Sequence, residues 1–176
     1  FSFPAKLTDC GAHAFDELSY PGDSIKQEYK EDILVGYRWH DTKKIPALFP
    51  FGHGLSYTTF TYGKPMASAK AMAADGMLTV TVAVKNTGSI AGKEIVQLYV
   101  GDDKCSVLRP VKELKHFAKV GLAPGEEKSV TFTLTPDDLK FYDEASAAWK
   151  YEPGKFKAYV CASSADVRGV VSFEMQ

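Results

Sequence analysis

The feature that most constrains this chain is strict alternation. In "MLTVTVAVKN" (77–86), Leu78, Val80, Val82 and Val84 fall on one side, and Thr79, Thr81 and Ala83 on the other. A period of two describes a pleated strand with one apolar face, whereas a helix would scatter the same residues around its axis. The pattern recurs down the chain. "EIVQLYV" (94–100) aligns Val96, Leu98 and Val100, and "KSVTFTLT" (128–135) aligns Val130, Phe132 and Leu134. "GKFKAYVCA" (154–162) aligns Phe156, Ala158, Val160 and Ala162, and "VRGVVSFEM" (167–175) supplies a last strand.

Turn signals separate these runs: "NTG" at 86, "GDD" at 101, "APGEE" at 123 and "EPG" at 152. Seven or more short one-faced strands at this spacing predict an all-β, two-sheet sandwich of the immunoglobulin or fibronectin type III kind. No long amphipathic helix competes. "TPDDL" (135–139) predicts one helical turn with Thr135 as its cap. "AYVCA" places Tyr159 two residues before Cys161 as in antibody domains, but Cys105 follows a Gly-Asp-Asp turn rather than lying within a strand. Packing without a disulfide is therefore expected. The three cysteines (Cys10, Cys105, Cys161) read as reduced, partly buried thiols and not as a zinc site.

The first 50 residues follow a different grammar. They show no sustained period and are punctuated by Pro4, Gly11, Pro21 and Gly22; only "DILVGYRWHD" is strongly apolar. Such a segment cannot enclose a core and is expected to lie as an irregular arm across a neighbouring surface. The expected division is 1–50 as arm and linker and 51–176 as sandwich. The chain opens on Phe1 rather than Met, and "FSFPAKL" has no signal-peptide character. The start of the gene product is thus expected to lie further upstream, with the compartment left open.

Chemistry is sparse. With a net charge of −1 and interleaved signs, the clustered basic footprint of a nucleic-acid binder is missing. No run approaches a membrane-spanning length. The acidic pairs Glu31-Asp32, Asp102-Asp103, Glu126-Glu127 and Asp137-Asp138 mostly sit at turns, a poor arrangement for carboxyl groups facing across a glycosidase cleft. No nucleophile elbow, phosphate loop, metal set or cofactor motif occurs. Two stretches are candidate contact sites. Tyr37, Arg38, Trp39, His40 and Asp41 could line a sugar subsite with Trp39 as platform. Alternatively, Tyr37 and Trp39 anchor the arm on a partner surface while Arg38 and Asp41 pair at its rim. "LFPFGHGLSYTTF" (48–60) carries Phe49, Phe51, Gly52, His53, Gly54 and Tyr57 and reads as a hinge leading into a first strand.

The stretch "YKEDILVGYRWHDTKKIPALFPFGHGLSYTTFTY" resembles the segment leading into the C-terminal domain of glycoside hydrolase family 3 enzymes, the β-glucosidases and their relatives. "NTGSIAGKEIVQLYV", "RPVKELKHFAKVGLAPGEEKSVTFTL", "DDLKFYD" and "YEPGKFKAYVCASSADVR" resemble that family's fibronectin type III-like domain. Trp39-His40 and His53 stand where the family commonly has tyrosines. The resemblance implies the non-catalytic C-terminal part of a retaining β-glucosidase, with 1–50 as the tail of the upstream α/β sandwich domain and the interdomain linker arm; the barrel and α/β domains would be its partners and the parent's substrate would be a β-glycoside. No catalytic residue carries over, since neither the family's nucleophile context nor its acid/base context occurs here. A free-standing carbohydrate-binding or adhesion module is the alternative. Cut from such neighbours, Ile33, Leu34, Val35, Tyr37 and Trp39 are expected to pack back on the sandwich or on another copy of the chain.

Overall fold

The computed structural model describes residues 1–176. The arm contains strand β1 (Phe3–Pro4), 3-10 turns at Leu7–Asp9 and Gly11–His13, helix α1 (Tyr37–Lys43) and strand β2 (Ala47–Phe49). The sandwich follows with β3 (Phe60–Tyr62), β4 (Met66–Ala67), β5 (Ala71–Met72), β6 (Leu78–Asn86) and β7 (Gly92–Asp102). It continues through β8 (Glu113–Leu122), β9 (Glu127–Leu134), a 3-10 turn at Pro136–Leu139, β10 (Phe141–Asp143) and β11 (Ala148–Lys150). Strands β12 (Gly154–Cys161) and β13 (Val167–Met175) complete it.

One sheet runs β5-β13-β12-β7-β8, antiparallel except for β5 beside β13. The other centres on β6, with β9 along one edge and the short β3 and β4 sharing the opposite edge. The fold class expected from the alternation is therefore observed. Leu78, Val80, Val82 and Val84 face Val96, Leu98, Val100, Phe156, Ala158 and Val160 across the sandwich, all essentially buried. Each of the valine, leucine and phenylalanine side chains among them contributes about 1.5–3 kcal/mol when fully buried, so the alternating faces dominate stability. The predicted turn at 135–139 also forms: the Asp138 carboxylate accepts from the Thr135 amide (2.8 Å) and hydroxyl (3.1 Å).

Several local expectations need correction. The first sandwich strand begins at Phe60, so residues 50–59 are loop rather than strand. Strand β7 runs through Gly101 and Asp102, where a turn was expected, because its partner β12 pairs as far as Asp102. A register shift at Val160/Cys161 ends the alternation, leaving Ala162 outside the strand. Residues 37–43 form a helix that the aperiodic arm did not suggest. Strand β7 also departs from the one-faced pattern: Gln97 and Tyr99 are as buried as Val96, Leu98 and Val100. Something covers the outer face of its sheet, and that cover is the arm.

Candidate interdomain interface

Helix α1 lies against the outer face of the five-stranded sheet and the start of β8. Its attachment is a row of polar contacts around an aromatic centre. The Tyr37 ring meets Tyr99 edge-on at 5.5 Å and Phe51 at 5.3 Å, while its hydroxyl accepts from the Leu114 amide at 2.9 Å. Arg38 pairs with Glu113 at 3.3 Å, and Lys112 donates to Asp41 at 2.6 Å with its ammonium 5.6 Å from the Tyr99 ring centre. The Val111 amide donates to the Thr42 hydroxyl at 3.2 Å. Arg38 and Asp41 therefore pair with the sandwich and not with each other: one helical turn aims both toward residues 112–113.

The other two residues of this stretch point elsewhere. Trp39 is only 5% exposed; its indole donates to the Asp9 carbonyl at 3.1 Å and meets Phe15 at 5.7 Å. Gly11 packs closely here: a Cβ on it would stand 3.2 Å from the indole and 3.1 Å from Glu31 Cβ. The Trp39 face is therefore closed to a sugar. His40 is buried and donates from Nδ1 to the Ile45 carbonyl at 3.0 Å.

The loop 50–59 completes the cover. Gly52 has φ +79°, and a Cβ on it would collide with the Gln97 amide, which donates to the Gly52 and Ala162 carbonyls at 3.5 and 3.0 Å. The Tyr99 hydroxyl donates to the Gln97 side-chain oxygen at 2.6 Å. Cys161 is buried on this face opposite Gln97, and burial pushes its thiol up to about 12. Gly54 faces open space.

A different surface remains apolar and uncovered. Phe3 and Phe49 are both about half exposed, at 51% and 52%, on the paired strands β1 and β2. Their rings join a ladder from Phe1 (5.9 Å to Phe3) through the Phe3–Phe49 pair (6.4 Å) to His53 (5.8 Å from Phe49). Leu55 and Tyr57 are almost fully exposed further along the same loop. The "LFPFGHGLSYTTF" stretch thus splits: Phe51 and Gly52 face the sandwich, while Phe49, His53 and Tyr57 face outward.

One carboxylate in each of three acidic pairs is engaged structurally. Asp102 sits 3.6 Å from Arg109, which donates to the Leu139 carbonyl and to Glu113. Glu126 accepts from the Ala123 amide in its turn. Asp138 caps the 3-10 turn and lies 3.1 Å from His116. The arm's docking surface was the part that period-based reading missed; the unexplained apolar Tyr99 on an outward strand position was its one available signal.

Comparison with known proteins decides the domain's kind: residues 94–164 match the family model for the fibronectin type III-like domain. The chain contains a fibronectin type III-like domain. Around that domain, the chain is 66% identical over 174 residues to β-glucosidase BoGH3A of Bacteroides ovatus, covering 99% of this chain and 23% of that enzyme. Thermostable β-glucosidase B of Acetivibrio thermocellus is 49% identical over 166 residues, 94% of this chain and 22% of its own length. The fold matches the crystal structure of DesR, a β-glucosidase from Streptomyces venezuelae in complex with D-glucose, with a TM-score of 0.88 and 40% identity over 99% of this chain and 22% of that one. It also matches a family 3 β-glucosidase from Bifidobacterium adolescentis, with a TM-score of 0.89 and 33% identity over 99% of this chain and 25% of that one. The likeness to glycoside hydrolase family 3 extends through the arm as well as the fibronectin type III-like domain. The chain spans under a quarter of the length of these curated relatives.

Proposed function

We propose that this chain acts as the non-catalytic C-terminal part of a retaining β-glucosidase-type glycoside hydrolase, holding the geometry of the domains that carry the chemistry. The observation that carries this reading is the division of the arm into two faces. One face is stitched to the fibronectin type III-like sandwich through Tyr37, Arg38 and Asp41. The other presents Phe1, Phe3, Phe49 and Tyr57 outward, an apolar surface suited to burial against a preceding domain. In this reading, 1–50 is the tail of the preceding α/β sandwich domain and the linker arm, and 51–176 the supporting domain. Tyr37 to Asp41 act as docking residues, and Phe49, His53 and Tyr57 as contacts to the barrel and α/β partners. The β-glycoside substrate would bind in those partners.

Replacing the matching segment of the Bacteroides ovatus relative with this chain tests the reading. The chimera should fold and keep its β-glucosidase activity, and the 176-residue chain alone should not hydrolyse a chromogenic β-glucoside. Hydrolysis by the isolated chain, or a chimera that cannot fold, would overturn it. One observation favours the second reading, a carbohydrate-binding module: Trp149 is 66% exposed and packs edge-on with Tyr142 at 5.7 Å on the β10–β11 hairpin. Saturable quenching of its fluorescence by oligosaccharides would support that reading.

A further inference from the structure

A groove runs between the arm's turn at Asp32 and Ile33, the loop joining β7 to β8, and the β10–β11 hairpin. Ile33, Val107, Leu108, Tyr142 and Trp149 line it and are each 40–66% exposed, so five large apolar side chains share one surface. Single exposed apolar residues need no explanation, but a contiguous group does. The surface is also rigid. The Arg109 guanidinium is buried beneath the loop, where it donates to the Leu139 carbonyl at 3.1 Å and to Glu113 at 3.3 Å and lies 5.4 Å from the Phe141 ring centre. Glu152, between β11 and β12, accepts from the Ser106 amide at 3.0 Å and from its hydroxyl, which ties the loop to the hairpin. Tyr142 and Trp149 are direct cross-strand neighbours within that hairpin. Four basic and four acidic side chains line the groove, so it offers no net charge to an ion; aromatics inside a balanced polar rim are the make-up of a protein interface.

The place of the groove points to its occupant. It is lined by the arm through Ile33 and Arg38 and by the sandwich through Leu108 and Trp149, so whatever covers it packs on both at once. Arg38, in the first turn of α1, borders the groove, while the Phe3–Phe49 ladder lies on β2, beyond the last turn of the same helix. Seven helical residues span about 10 Å, so both surfaces fit within the footprint of one domain. We infer that the groove is a second docking surface for a preceding domain of the same polypeptide, with Leu108 and Trp149 as its central contacts. The inference rests on the function proposed above, in which the arm leads out of such a domain. A single apolar patch lets a tethered domain swivel about it; a second patch, at the other end of a docked helix, fixes the angle between the two bodies.

Hydroxyl-radical footprinting of the isolated chain and of the Bacteroides ovatus chimera tests the inference. Leu108 and Trp149 should be labelled severalfold more slowly in the chimera, while the exposed Met66 on β4 and Met77 ahead of β6 react equally in both. Leu108→Ser combined with Trp149→Ser should leave the melting midpoint of the isolated chain unchanged, because both side chains are exposed there, and lower the temperature at which the chimera loses activity. A chimera that cannot fold would overturn the proposed function and this inference together. A folded, active chimera whose Trp149 reacts as fast as in the isolated chain would overturn the inference alone. So would protection of Trp149 in the isolated chain by cellohexaose or by raised protein concentration, which would assign the groove to a sugar or to a second copy.

Discussion

At the residue scale, the half-buried Glu94 couples its ionisation to the native fold. Burial holds its carboxyl above the ordinary 4.5, against the hydrogen bond from the Tyr62 hydroxyl (2.8 Å) and the Arg168 charge, which act in the opposite direction. The folded protein therefore binds the Glu94 proton more tightly than the unfolded chain does. Its contribution to stability is fully present below 4.5 and is lost as pH rises through the raised value. Glu94→Gln mimics the protonated form and still accepts from Tyr62. Urea midpoints measured from pH 4 to pH 7 should fall less steeply with pH in the variant than in the parent chain. Parallel curves for the two proteins would show that Glu94 titrates as an ordinary surface acid. Cys161 follows the same sign in a higher range, between its ordinary 9.0 and about 12, so its thiol stays protonated at neutral pH.

At the element scale, helix α1 has only seven residues, too few to be stable by itself in water. Its order comes from the sheet beneath it. Tyr37 is the central contact: its ring fills the space between Tyr99 and Phe51, and its hydroxyl satisfies the Leu114 amide at the start of β8. Tyr37→Phe keeps the ring and removes the acceptor, stranding that amide at a cost of about 1–3 kcal/mol. The expected result is a lower denaturation midpoint together with faster hydrogen exchange at Leu114 and in 37–43. Unchanged exchange in α1 would mean that the helix is held by something other than this contact. The 3-10 turn at 136–139 shows the contrasting case. Pro136 and the Thr135–Asp138 bonds specify it locally, which is why the five residues 135–139 were enough to predict it.

At the scale of the whole molecule, the arm has two parts of unequal attachment. Residues 37–52 are bonded to the sandwich, whereas 1–36 rest mainly on the arm itself, joined to 37–52 by the β1–β2 pairing and by Trp39 through Asp9 and Phe15. Deleting residues 1–16 should leave the cooperative unfolding of the sandwich in place and shift Trp39 emission to longer wavelength, as its cover is removed. Limited proteolysis should likewise cut ahead of α1 and stop there. Immediate trimming through residue 45 would contradict the docked arrangement. Of the apolar arm residues expected to pack back on the sandwich, Tyr37 does so; Trp39 is buried against the arm's own Asp9 and Phe15, Leu34 is buried, and Ile33 and Val35 stay exposed.

The sequence alone determined the sandwich, because a buried strand face writes itself into every second residue. Leu78 to Val84, Val130 to Leu134 and Phe156 to Val160 could be assigned from spacing without any neighbour being known. It also marked the stretches 37–41 and 48–60 as candidate contact regions by their aromatics. Only the tertiary structure decided what those stretches contact. Arg38 and Asp41 find Glu113 and Lys112, more than 70 residues away, and Trp39 turns inward beneath Asp9. Gln97 and Tyr99 become core on an outward-facing strand position. Contacts of that kind come from an aperiodic segment lying across a finished sheet. They leave no repeat in the sequence, since each residue of the arm meets a different neighbour.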